Sequence, residues 1–222
     1  MAAMKFYMTP GSCSTGIHII LEELDEIFEA HVVNLPAGDN FKPDYLAINP
    51  KGTIPALVRP DGSVLTELVA IAYWLGRARG RGRLWPLDLD GETRAIEVMS
   101  HVVGIIHGHG FARLFTTPTF SRAQAEQESV KALGRLIVEK GFAVLARQME
   151  GQNFVAGAFS VADAVLFYAE FWADKTGIAL PAPLLAHYRR LLERPAVIGV
   201  LKEEGYEPSR LGGGGSRPAA AG

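Results

Sequence analysis

The sequence predicts a small α/β unit followed by an all-helical bundle. Three observations carry that prediction. Short apolar-rich runs alternate with a helical repeat and a tight-turn dipeptide over the first eighty residues. Beyond residue 92, apolar side chains recur only at helical spacing. Between the two patterns lies a Gly/Arg/Pro-rich stretch, 81–91. We therefore read 4–80 as the first domain, 81–91 as a linker running over the surface, 92–207 as the helical domain and 208–222 as a flexible tail.

Each element has its own signal. Lys5-Phe6-Tyr7-Met8 is a strand closed by the turn residues Thr9-Pro10-Gly11-Ser12. Ile17, Ile20, Leu21 and Leu24 recur at helical spacing behind Cys13, with Ser12 placed to cap the helix. Phe28 to Leu35 reads as a second strand, parallel to the first because a helix intervenes. A short helix is expected from Pro43 to Ile48. Ile54–Val58 and Ser63–Leu65 then flank Asp61-Gly62, a hairpin signal. Glu67 opens a helix running through Leu75 and ending within Gly76–Arg83. The order βαβ, helix, ββα makes a four-stranded mixed sheet of thioredoxin type. Helices follow at about 92–115, 122–149, 161–176 and 183–193. Ser160 and Asp163 form a capping box for the third of these, a structural role for which loss of Asp163 should cost about 1–2 kcal/mol, and more if it is buried.

Composition excludes several classes of function. The 222 residues carry 22 Lys+Arg against 24 Asp+Glu, a net charge of −2, so no field gathers nucleic acid or anionic lipid. At 48% hydrophobic and 21% charged, the chain is ordinary for a globular protein. Its start lacks the pattern of a secretory signal, and no apolar run spans a bilayer, so we expect a cytoplasmic protein without a membrane partner. One cysteine, Cys13, cannot close an internal disulfide or build a thiolate metal site.

Cys13 is either a buried filler or a nucleophile. Its place where a strand hands over to a helix favours the nucleophile, because helix-start amides stabilise a thiolate; a depressed pKa and good solvent access are expected. Pro55 opens a strand, which fits either a cis peptide that leaves the Ile54 backbone free for a ligand or a plain trans edge. Glu67 could accept a ligand ammonium or simply favour a helix dipole. His107 and His109, two apart, do not share a helix face and have no carboxylate beside them, so no metal is expected there.

Met4–Ser14 with His18, Asn49–Leu57, Leu65-Thr66-Glu67 with Val69-Ala70-Ile71, and Phe159–Ala164 occur in that order and together resemble the beta-class bacterial glutathione S-transferases. The resemblance spans roughly Met4 to Tyr206. It implies a thioredoxin-like half that binds glutathione as cosubstrate, with no metal cofactor. Thr53, Ile54 and Pro55 would hold the cysteinyl part by backbone pairing, and Glu67 the γ-glutamyl ammonium. Cys13 would lie against the glutathione sulfur, with Ser12 and Ser14 as alternative activators and His107 as a nearby base. Met8, Phe111, Phe115 and Trp172 would line the electrophile pocket. Two departures stand out. Leu68 occupies a position usually Ser or Gly, and Lys42 is the nearest substitute for a missing loop lysine. The stretch Ile106–Phe111 is one residue longer than the family pattern.

The implied partners are glutathione, a small hydrophobic electrophile or disulfide, and a second copy of the chain. The activity would be conjugation, thiol–disulfide exchange through Cys13, or both, with exchange suiting Cys13 better. The alternatives are a non-catalytic binding protein on the same scaffold and a dedicated ether-cleaving or dehalogenating transferase.

Overall fold

The computed structural model describes residues 3–80 and 82–213. Its first part contains β1 (Met4–Met8), α1 (Ser14–Glu23), β2 (Phe28–Val32), α2 (Pro43–Leu46), β3 (Ala56–Val58), β4 (Val64–Thr66) and α3 (Leu68–Trp74). The strands form one sheet in the order β2-β1-β3-β4, with β1 and β2 parallel and the other pairs antiparallel. Phe6 lies opposite Ala30 on one side and Leu57 on the other. The alternation of β1 explains its orientation: Met4, Phe6 and Met8 are buried while Lys5 faces out. β2 stops short of the expected Leu35. After the Val33 amide donates to Met8 O at 2.8 Å, the chain turns at Asn34, whose side chain accepts from the Ala37 amide.

The second part holds α4 (Leu89–His101), α5 (Ala112–Phe115), α6 (Thr117–Phe120), α7 (Gln124–Gln148), α8 (Val161–Thr176), α9 (Ala182–Leu192) and α10 (Pro195–Glu203). Asp88 caps α4, accepting from the Gly91 amide at 2.8 Å. Between α4 and α5 the helix widens into π-helical turns over Val102–Phe111, a geometry that takes up an extra residue without breaking the helix. α6 and α10, each with proline in its first turn, were not anticipated from the sequence.

α8 is the central helix. Every residue from Val161 to Ala173 is buried, with α1 packed on one side and α9 on another. Two sequence expectations are corrected here. The stretch expected to run over the surface is anchored partway along: within the described residues 82–91, Leu84 and Trp85 are buried, and Leu84 O accepts from the Val161 amide at 3.0 Å. The tail does not start at 208. Pro208–Arg210 form a 3₁₀ turn, the Gly212 amide donates to Asp174, and Gly212 O accepts from Arg189. The rest of the expected tail, 214–222, lies outside the described residues. Among the described residues, no helix is long and apolar enough to cross a membrane.

Candidate active site

The turn between β1 and α1 is gripped from the helical part. Gly11 sits at φ +72, and a Cβ there would collide with the Tyr206 hydroxyl, so only glycine fits. Its amide donates to Glu204 Oε2 at 2.7 Å, and its carbonyl accepts from Trp172 Nε1 at 2.8 Å. Glu204 also accepts from Thr15 Oγ1 at 2.6 Å and meets His18 Nδ1 at 2.9 Å. The loop carrying Cys13 is thus held by groups at the C-terminal end of the chain.

Hydroxyl protons in this turn can be accounted for completely. Ser14 Oγ donates to Thr9 O at 3.1 Å and accepts from the Thr9 amide at 3.1 Å. Ser12 Oγ lies 2.6 Å from Ser14 Oγ, so with the Ser14 proton committed, Ser12 donates there; it also accepts from the Ser14 amide at 3.1 Å. Ser12 does take a helix-start amide, as expected, although Cys13 already has helical angles. Neither serine retains a free proton to offer a thiolate. In this arrangement both hydroxyls lock the turn.

Cys13 departs further from expectation. It is only 7% exposed, and its Sγ–H points to Ile54 O at 3.8 Å. Burial pushes the thiol up to about 12, and the Cys13 and Ser14 amides offset only part of that. The expected low pKa and open access are both absent.

Tyr168 on α8 lies close enough for Cys13 to raise its phenol further, burial being the larger cause. The Tyr168 hydroxyl is 3.3 Å from His107 Nδ1, and the His107 ring also packs edge-on to Trp172. Burial lowers His107 to about 4, so it is neutral at physiological pH and a weak base. Its polar contact is with the Tyr168 hydroxyl, and His109 is exposed. Met8 and Phe111 are corrected from pocket to core. Met8 faces inward on β1, and Phe111 is packed among Phe142, Phe115 and Trp172. Phe115 is 50% exposed and stacked on Phe111, with Trp172 edge-on to it.

On the sheet side, the Ile54–Pro55 peptide is cis. Thr53 O is fixed by Tyr45 and Asn49 donors at 2.5 and 2.7 Å. Glu67 precedes α3 with φ +70, a sterically costly backbone for a non-glycine residue of about 1–3 kcal/mol. Its exposed carboxylate accepts from Lys51 Nζ at 2.5 Å, and Lys51 also donates to Thr66 Oγ1 at 3.0 Å. Leu68 turns into the core, so its bulk does not fill the cleft. Lys42 is tied to Asp39 at 2.6 Å on the exposed loop. Lys51, which the sequence reading passed over inside Asn49–Leu57, is the cation beside Glu67. Tyr168 and Glu204 were likewise missed. The only sequence signal near Glu204 was the apolar spacing of Val197, Val200 and Leu201 behind Pro195.

Comparison with known proteins agrees with this geometry. Residues 11–78 match the family model described as glutathione S-transferase, N-terminal domain. The chain is 33% identical to glutathione S-transferase GstA of Escherichia coli O157:H7, over 92% of this chain and 100% of that one. It is similar to a glutathione transferase homologue from Sulfitobacter solved with bound glutathione, at 25% identity and a TM-score of 0.83, covering 91% of this chain and 99% of the other. It is also similar to a beta-class enzyme from Sphingomonas chungbukensis, at 28% identity and a TM-score of 0.78, covering 91% and 100%.

Proposed function

Because the chain belongs to the glutathione S-transferase family, we propose that it conjugates glutathione to small apolar electrophiles, with the Cys13 thiol as hydrogen-bond donor to the glutathione sulfur. The observation that carries this reading is the buried thiol at the start of α1, held 3.8 Å from Ile54 O, where burial favours its protonated form. Bound glutathione supplies the nucleophilic sulfur. Glu67 would exchange Lys51 for the γ-glutamyl ammonium, and the Ile54 backbone would pair with the cysteinyl part. Cys13 Sγ–H and the α1 amides stabilise negative charge on that sulfur. A hydrogen bond to a charged acceptor is worth about 1.5–3 kcal/mol, or roughly one to two pKa units. Holding both reactants together supplies the rest of the acceleration. Phe115 and Trp172 offer the electrophile an aromatic face.

Thiol–disulfide exchange is the second reading. It is favoured by the lone thiol beside the site, since with no other cysteine any disulfide there must be with an outside thiol. A thiol held near 12 contributes few thiolates at neutral pH, so we rank conjugation first. The reaction needs reduced glutathione, so the cytoplasmic location expected from the sequence is part of the same proposal.

Calorimetry with reduced glutathione, followed by conjugation of a chlorodinitrobenzene, tests the reading. Cys13→Ser keeps a donor and should stay within about tenfold of wild type, whereas Cys13→Ala should lose about 10–100-fold in kcat/KM. Cys13→Ser should also abolish any disulfide reduction. No heat at millimolar glutathione would favour a binding protein instead. Equal rates in Cys13→Ala and wild type would remove the donor role.

We include a homodimer in the proposal. Tyr73 on α3 and Ile96 on the adjoining α4 are partly exposed, as is Ile105 just beyond it, leaving apolar side chains for a partner copy. Sedimentation should show a species of twice the chain mass, and a monomer at micromolar concentration would refute this.

A further inference from the structure

Beside Glu204 lies a second cluster that the transferase reading leaves unused. His18 and Glu22 stand one turn apart on α1, and Glu203 ends α10 against them. His18 is only 3% exposed. Its Nδ1 lies 2.9 Å from the Glu204 carboxylate, an acceptor, so Nδ1 carries a ring proton. The other ring nitrogen, Nε2, is buried and without a hydrogen-bond partner among the described residues. The group it faces is another acceptor: Glu203 Oε2 lies 3.4 Å away, off hydrogen-bond geometry. Glu22 turns a carboxylate oxygen toward the same space, and the three ligand atoms lie within 4.8 Å of one another.

A buried ring nitrogen and two carboxylates converging at this spacing form an arrangement that a divalent cation can complete. We propose that His18 Nε2, Glu22 and Glu203 form a divalent transition-metal site that joins α1 to α10. Glu204 plays the outer part, as a carboxylate that fixes the tautomer and orientation of a ligating histidine. One imidazole and two carboxylates suit Zn²⁺, Mn²⁺ or Co²⁺, with water completing the shell. The 3.4 Å separation of Nε2 and Glu203 Oε2 matches the edge of a tetrahedron whose metal–ligand bonds are about 2.1 Å. Glu203, with its side chain 64% exposed, can rotate to close the longer distance and gives the ion a path from solvent. Glu204 also holds the Gly11 amide and Thr15, so an ion here would brace the structure that carries Cys13.

The test is titration of the chelator-stripped full chain with Co²⁺ and Zn²⁺, followed by calorimetry, visible absorbance and thermal unfolding. One ion per chain should bind with a Kd of about 10 μM or tighter and raise Tm by several degrees at 100-fold excess over Kd. Glu203→Gln and Glu22→Gln should each weaken binding at least tenfold. Glutathione conjugation by metal-free Glu203→Gln should equal that of the metal-free wild type, which shows that the variant is folded. Absence of saturable binding would overturn the proposal and leave His18 as an ion-pair partner of Glu203. Undiminished binding in both variants would overturn it as well. So would an intense sulfur-to-cobalt charge-transfer band, which would place the ion on the one cysteine.

Discussion

Asp163→Ala is expected to destabilise the chain by about 3–5 kcal/mol, well beyond the cost of an exposed helix cap. The carboxylate is fully buried at the start of α8. Its Oδ2 accepts from the Ser160 amide and hydroxyl at 2.8 and 2.9 Å, and its Oδ1 from the Val155 amide at 2.7 Å and His187 Nε2 at 3.1 Å. Alanine leaves two buried amides without an acceptor, each worth about 1–3 kcal/mol, and strips one partner from His187. His187 Nδ1 meets both Glu170 oxygens at 3.0 Å. Burial alone would lower this imidazole, but Glu170 and Asp163 overcome it and raise His187 to about 10. Its folded value thus exceeds the unfolded one of about 6.5, so its contribution is complete below that pH and is lost as pH rises toward 10. Urea unfolding of Asp163→Ala and Asp163→Asn checks both points. The asparagine variant should also be weakened, because its amide donors face donors, and its alkaline decline should be flatter than wild type. A loss below about 1 kcal/mol in both variants would contradict the account.

The second large effect separates backbone from side chain at one residue. Glu67→Gly should raise KM for glutathione about 10–100-fold, through loss of a charge-assisted contact worth about 1.5–3 kcal/mol. The same substitution should raise stability by about 1 kcal/mol, because glycine adopts φ +70 without the steric cost glutamate bears. Glu67→Ala should weaken binding equally while gaining no stability, since alanine inherits the strained backbone. Steady-state kinetics and thermal melts of the two variants read the effects independently. Unchanged KM in both would remove Glu67 from the glutathione site.

What was legible in the sequence was what local chemistry decides. Asp61-Gly62 announced the hairpin, Thr9-Pro10-Gly11-Ser12 announced the end of β1, and Ser160 with Asp163 announced a helix start; each signal lies within a few residues of its consequence. The contacts that shape the candidate site are of another kind. Glu204 reaches Gly11 across 193 residues and Trp172 reaches it across 161. Cys13 was read as open because its helix start is visible in sequence, whereas the packing that buries it is not. The hydrogen bonds that tie Ser12 and Ser14 into the turn likewise show only in the geometry. Lys51 lay within a quoted motif, yet its pairing with Glu67 depends on how the hairpin folds back.

The central claim is that Cys13 keeps its proton and serves as a donor. Because it is the one cysteine, the ultraviolet absorbance of its thiolate can be titrated directly as the difference between wild type and Cys13→Ser. With the thiol pushed up to about 12, no thiolate signal should appear in the unliganded protein between about pH 5 and pH 10. A titration midpoint at or below about pH 7 would contradict the account and return Cys13 to the role of activated nucleophile.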